Sequence, residues 1–229
     1  MTTDPKDFWE QKILTWEDGR YSAGDLSQNA MEEVANKASS SLRFRLRKTA
    51  EMLRPELIEG KRVVEFGCGS GFLSELLIES GAISYQGFDI SENAIRRANG
   101  RIQEKGLSDK ISFSARQILD VKEIEADIVV SLGLLDWLND AELDHLFKIS
   151  GNADYIHSIS EKRASLAQLA HRLYVFVAYG FRTGGYVPKY YTVEKIRDML
   201  SPYNKKTLGV YRHNNLSFGA LLTSLNFKG

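Results

Sequence analysis

Val63-Val64-Glu65-Phe66-Gly67-Cys68-Gly69-Ser70-Gly71 is the stretch on which the fold of this chain turns. The residues RVVEF (62–66) make a short apolar strand, and it runs straight into a turn with glycine at every second position. Glycine lacks a Cβ, so such a turn is tight and lets a ligand come close to the backbone. A dinucleotide-binding turn needs G-x-G-x-x-G. Counted from Gly67, the sixth position is Phe72, and the spacing is instead G-x-G-x-G. Glu65 stands two residues before the first glycine, where a carboxylate repels a pyrophosphate and suits an ammonium group. Asp89 follows 22 residues after Gly67, at the end of a second strand, SYQGFDI (84–90). An acid there can accept hydrogen bonds from both hydroxyls of a ribose.

Working outward, FLSELLIES (72–80) is a helix stopped by Gly81, and Ser91 caps a second helix, ENAIRRANGRIQEKG. ISFSA (111–115), DIVVSLG (127–133) and DYIHSIS (154–160) are further strands. Helical patterns cover 28–54, 140–149 and 192–201. Two strands close the chain, KTLGVYRH (206–213) and LSFGALLTSL (216–225), with Asn214 and Asn215 as a hairpin turn. Strands alternating with helices predict an α/β, Rossmann-like fold. It has a seven-stranded, mostly parallel sheet, a C-terminal antiparallel hairpin and helices on both faces. Residues 1–54 read as an N-terminal helical extension or lid, and 55–229 as the ligand-binding domain. Ligands in such sheets bind beyond the carboxyl ends of the strands. That brings 67–71, Asp89, 116–118, 132–136 and 158–161 around one cleft.

Composition narrows the function. The chain has 229 residues, 43% hydrophobic and 26% charged, which is globular. Thirty basic and thirty acidic residues cancel, so a strongly basic nucleic-acid binder is not expected. The cancellation hides a gradient: 1–60 carry 9 basic and 11 acidic residues, 61–150 carry 10 and 15, and 151–229 carry 11 and 4. The basic C-terminal third is a solvated face or a surface for an anion. The lone cysteine, Cys68, excludes an internal disulfide framework and a cysteine-rich metal site. No apolar run approaches the ~20 residues of a membrane span, and MTTDPKDFWEQ lacks a signal-peptide core. A soluble, cytoplasmic protein is expected.

The glycine turn preceded by Glu65 and followed by Asp89 resembles motif I and the ribose-binding acid of class I S-adenosylmethionine-dependent methyltransferases. The resemblance runs from about residue 42 to the end and is best over 62–100. Within that class the layout is similar to the ubiquinone-biosynthesis O-methyltransferases and magnesium-protoporphyrin methyltransferases, which also carry a long segment after strand five. It implies S-adenosyl-L-methionine as cofactor, held by Glu65, Gly67, Cys68, Gly69, Gly71, Asp89, Ile90 and Leu132. Leu42-Arg43 resembles a Leu-Arg pair that holds the cofactor carboxylate, although its spacing to Glu65 differs; Arg43, Arg45 and Arg47 also fit a basic helix face. The residue beside the adenine departs from the family: Ala115-Arg116-Gln117-Ile118 offers Gln117 as hydrogen-bond partner and Ile118 for packing, with Asp120 as an alternative.

The acceptor is bounded by exclusions. After strand four the chain reads Ser131-Leu132-Gly133-Leu134-Leu135-Asp136-Trp137, without the proline motif of amino methyltransferases acting on nucleic acids and glutamine. Cytosine-5 and uracil-5 enzymes need a cysteine elsewhere than the glycine turn. No His, Asp and Glu spacing suggests a metal site. A small-molecule acceptor is therefore expected, methylated on oxygen or nitrogen. The alternatives are a protein or RNA methyltransferase and a non-catalytic partner subunit. Asp136 and His157 are the candidate bases, though His157 sits inside a strand with apolar neighbours Ile156 and Ile159 and also reads as a core histidine. Tyr21, Arg182, Tyr190 and Tyr191 are candidate acceptor contacts, and Trp16 a lid contact. The apolar, aromatic stretch 166–182 is suited to cover a bulky acceptor or to lie on a membrane surface.

Overall fold

The computed structural model describes residues 4–21, 30–163, 168 and 186–226. The expected seven strands are present: β1 (Arg62–Phe66), β2 (Ser84–Asp89), β3 (Ile111–Ala115), β4 (Ile128–Ser131), β5 (Asp154–Ser160), β6 (Gly209–Tyr211) and β7 (Gly219–Thr223). They form one sheet in the order β3-β2-β1-β4-β5-β7-β6. The first five are parallel, and β7 inserts antiparallel between β5 and β6. The order reverses between β1 and β4, so a crevice opens at their carboxyl ends.

Alternation along the strands feeds two cores. Val63, Tyr85, Ile128 and Ile156 face one side; Val64, Phe88, Val129 and Tyr155 face the other. The first side is covered by α2 (Ala30–Met52), α3 (Pro55–Ile58), α4 (Ser74–Glu79) and α5 (Glu92–Glu104) through Met52, Ile58, Leu77 and Ile102. The second is covered by α6 (Asp140–Ser150) and α7 (Val193–Leu200) through Phe147 and Ile196, both fully buried. Each such side chain contributes about 1.5–3 kcal/mol by leaving water.

Local chemistry sets the helix ends. Ser91 caps α5 by accepting the Ala94 N–H at 3.2 Å, and Asn139 with Glu142 forms a capping box on α6. The predicted helix 28–54 ends at Met52, because Pro55 cannot continue it and opens α3 instead. An additional helix, α1 (Pro5–Tyr21), lies ahead of it. The closing connection differs from the expected two-residue turn. β6 stops at Tyr211, where Arg212 is drawn to Glu161 at 2.6 Å, and the chain returns through a 3-10 turn (Asn214–Leu216) and Ser217 at φ +54°. Among the described residues, no helix is long and apolar enough to cross a membrane.

Candidate active site

The glycine turn is anchored to β2: Gly67 and Cys68 both donate their N–H to the carbonyl of Phe88, at 2.8 and 3.1 Å. Gly67, Gly69 and Gly71 have φ of +70°, +52° and +70°, where side chains are strained. At each of them a close neighbour fills the space of the missing Cβ, the Leu134 side chain at 2.9 Å in the case of Gly67. The Phe113 ring would stand 2.2 Å from a Cβ on Gly71, and a Glu17 carboxylate oxygen 2.3 Å from one on Gly69.

Acids surround this turn. Asp89 accepts the N–H of Gly69 at 2.8 Å and that of Ser91 at 3.0 Å, and burial pushes its carboxyl above the ordinary range. Glu65 takes a hydrogen bond from the phenol of Tyr85, and burial pushes it up to about 8. Cys68 is buried, and its thiol is pushed well up by burial, so it is a packing group, not a nucleophile.

Two spaces flank the turn. An open cavity of about 610 Å³ at the ends of β2 and β3 is lined by Ile90, Gln117, Arg116, Asp120 and Lys6. A narrow one of about 60 Å³ is lined by Glu65, Gly67, Cys68, Gly69, Leu132, Glu17 and Arg45. Gln117 and Ile90 thus reach the first space, whereas Ile118 packs partly buried in the α6-side core. The arginine of α2 in the narrow cavity is Arg45, not Arg43. Its guanidinium donates to the Ser158 hydroxyl at 2.9 Å and lies against Gly133.

The expectation of an N-terminal lid did not name the acids that α1 brings to the site. Lys6, Glu10, Ile13 and Glu17 fall at spacings of four, three and four, one stripe of a helix. Glu10 accepts from the Ser91 hydroxyl at 2.8 Å and the Asn93 N–H at 3.2 Å, at the start of α5. Glu17 accepts the Ser70 N–H at 2.8 Å and the Ser70 hydroxyl. That spacing was the available signal. The lid contacts expected of Trp16 and Tyr21 concern side chains outside the described residues, as does Arg182 with the segment 166–182.

The acceptor side corrects several expectations. His157 is 1% exposed, stacked on Tyr155 and packed near Phe147, with Nδ1 2.8 Å from the Ser131 hydroxyl. Burial lowers it to about 3, so it is a neutral core histidine and not a base in the cleft. Asp136 is buried and pushed up to about 6. Both its oxygens are engaged by Ser160, through N–H at 2.8 Å and hydroxyl at 2.7 Å, so it ties β4's exit to β5 rather than facing an acceptor. Tyr191 is buried with its phenol on the Leu138 carbonyl at 3.1 Å, a packing contact; Tyr190 beside it is half-buried. An aromatic cluster not anticipated from sequence joins α1 to this side. Trp137 meets Trp9, Tyr186 and Phe8 at centroid distances of 4.9, 5.0 and 5.8 Å, and the Trp9 indole donates to the Tyr186 phenol at 3.2 Å.

Comparison with known proteins agrees with this geometry. Residues 57–166 match the family described as methyltransferase domain. The ribosomal protein L11 methyltransferase of Photobacterium profundum is 33% identical over 81 residues, 35% of this chain and 27% of that protein. A probable protein arginine N-methyltransferase 6 of Arabidopsis thaliana is 37% identical over 83 residues, 36% of this chain and 19% of that one. The chain thus spans about a quarter of the length of such curated relatives. Magnesium protoporphyrin IX methyltransferase of Synechocystis PCC 6803, crystallised with S-adenosylhomocysteine, shares the fold at a TM-score of 0.71 and 21% identity, over 95% of this chain and 96% of that one. Residues 57–166 thus match a methyltransferase domain, and the fold is one in which a methyltransferase holds S-adenosylmethionine or S-adenosylhomocysteine. The residues of this chain fit that cofactor: Asp89 stands at the end of β2, and the narrow cavity is lined by the Glu65 and Glu17 carboxylates and the Arg45 guanidinium.

Proposed function

We propose that this protein transfers a methyl group from S-adenosylmethionine to an oxygen or nitrogen of a small-molecule acceptor. The observation that carries it is the narrow cavity beside the glycine turn, where Glu65, Glu17 and Arg45 meet. A bound S-adenosylmethionine supplies a methyl group on a sulfonium, already a good leaving group. In this chain Glu65 matches an ammonium, Arg45 a carboxylate, and Asp89 the ribose hydroxyls. Gln117 and Ile90 line the wider space that suits an adenine. Leu132 and the aromatic cluster around Trp137 exclude water from the acceptor side, so that proximity and orientation supply much of the rate. With Asp136 and His157 both engaged, the acceptor is one that reaches the site as a nucleophile without a strong base: an acidic hydroxyl, a carboxylate or a neutral amine.

Two features favour a small acceptor over a protein or an RNA. Among the described residues, the basic side chains of the C-terminal third are dispersed rather than gathered at the cleft. Lys206 pairs with Asp154 at the amino end of β5, Arg212 with Glu161 at its carboxyl end, and Lys205 and Lys189 reach the carbonyls of Ser201 and Leu138. The relatives acting on proteins match only 75–95 residues, whereas the fold shared with the protoporphyrin enzyme covers 95% of the chain. A cytoplasmic setting fits the lone buried Cys68. Calorimetric titration with S-adenosylhomocysteine, with NAD as control, should show one-site binding of the former alone. Absence of binding by folded protein would overturn the proposal. Label from methyl-tritiated cofactor should then enter the small-molecule fraction of an extract; label entering protein or RNA instead would overturn the acceptor class.

A further inference from the structure

Helix α1 brings to the cleft a carboxylate that motif I does not contain. Glu17 is 3% exposed, sits over Gly69 and Ser70, and lines the narrow cavity with Glu65 and Arg45. The ionisable groups on that wall are the carboxyls of Glu65 and Glu17, the guanidinium of Arg45 and the buried thiol of Cys68. The amino-acid end of S-adenosylmethionine offers one ammonium and one carboxylate, which Glu65 and Arg45 match. Glu17 is left over, and the remaining charge on the ligand is the sulfonium. Asp89 lies outside the lining of that cavity.

Resting on the cofactor proposed above, we propose that Glu17 is a specificity-determining residue that makes the site prefer the sulfonium cofactor over the neutral thioether product. In the transfer, the S–CH3 bond breaks with its electron pair left on sulfur, and a lone pair of the acceptor forms the new bond to carbon. Any proton on the acceptor atom passes to solvent. The sulfur thereby loses its positive charge while Glu17 keeps its place. The cation that shares its cavity, Arg45, donates to the Ser158 hydroxyl. Burial is the main influence raising the Glu17 carboxyl above the ordinary range; the hydrogen bonds from Ser70 oppose it, Asp89 adds to it, and Arg97, paired with Asp18 at 2.8 Å, opposes it further. A cation arriving in the cavity offsets that burial, and a thioether does not.

The test is titration of the full chain with S-adenosylmethionine, S-adenosylhomocysteine and sinefungin, whose protonated amine stands in place of the sulfonium. The two cations should bind at least about fivefold tighter than the thioether, and Glu17→Gln should weaken them about tenfold while moving the thioether less than about twofold. Ser70→Ala removes the docking hydroxyl, keeps the charge, and should preserve the cation preference. Equal loss for all three ligands in Glu17→Gln, no change for any, or a collapse of the preference in Ser70→Ala would reduce Glu17 to a docking contact and overturn the inference. If none of the three binds the unaltered protein, the cofactor proposal itself fails.

Discussion

The two sides of the crevice are built by different means. Between β1 and β3 the cleft is made of backbone: a glycine turn at positive φ, N–H groups held by Asp89, and carboxylates pushed up by burial. Beyond β4 it is made of side chains from distant parts of the chain: Trp137, Phe8, Trp9 and Tyr186, with Asp136 locked on Ser160. A backbone-built site tolerates little substitution and serves one ligand. A side-chain-built site is free to change its acceptor while the cofactor half stays fixed.

The sharpest way to break that contrast is to place a Cβ in the glycine turn and, as a control, one at the opposite end of the sheet. Gly71→Ala forces a strained φ and a collision with Phe113, and should cost about 2–4 kcal/mol, a fall in Tm of roughly 5–15 °C. Gly151→Ala, at φ +52° after α6 with nothing near its Cβ, should cost only about 1 kcal/mol. Equal losses by thermal melting would remove the packing argument for the glycine turn. Next in size, Asp89→Ala should weaken cofactor binding by about 1–3 kcal/mol. Asp136→Asn should leave that affinity unchanged while altering thermal stability, and calorimetry on both variants separates the halves.

The pH dependence should differ in sign between residues. Glu65 keeps its proton to about pH 8 in the fold, against an ordinary 4.5. The unfolded chain therefore binds fewer protons there, and this group's contribution to stability falls as pH rises from 4.5 to 8. Asp136 acts in the same direction between 3.8 and about 6. His157, lowered to about 3 from 6.5, acts in the opposite direction: its contribution is lost as pH falls from 6.5 towards 3. Denaturant melts across pH should show Glu65→Gln flattening the loss between pH 6 and 8, and His157→Phe softening the acid limb. The smallest effect is expected from Lys206→Met. Its half-exposed pair with Asp154 is worth under about 1 kcal/mol, and methyl transfer should be unchanged.

How much was legible in the sequence follows the same divide. The strand alternation, the glycine spacing and Asp89 are local signals, because φ, hydrogen-bond donors and strand period are set by near neighbours. From them the seven strands and the cofactor class were readable. Arg43 was read in place of Arg45 because the helical phase of α2 relative to the sheet is fixed only by packing. Glu17 and Glu10 escaped because a stripe of charge on a helix reads as a solvated face until something is found beneath it. His157 and Asp136 were offered as bases because side-chain type alone cannot tell a carboxylate aimed at a cleft from one held by Ser160. The sequence by itself determined the backbone of the cofactor turn, since glycine's freedom and strand periodicity act over a few residues. Only the tertiary structure decided which side chains share the cavity, since burial, pKa and cross-chain hydrogen bonds come into being when distant segments meet.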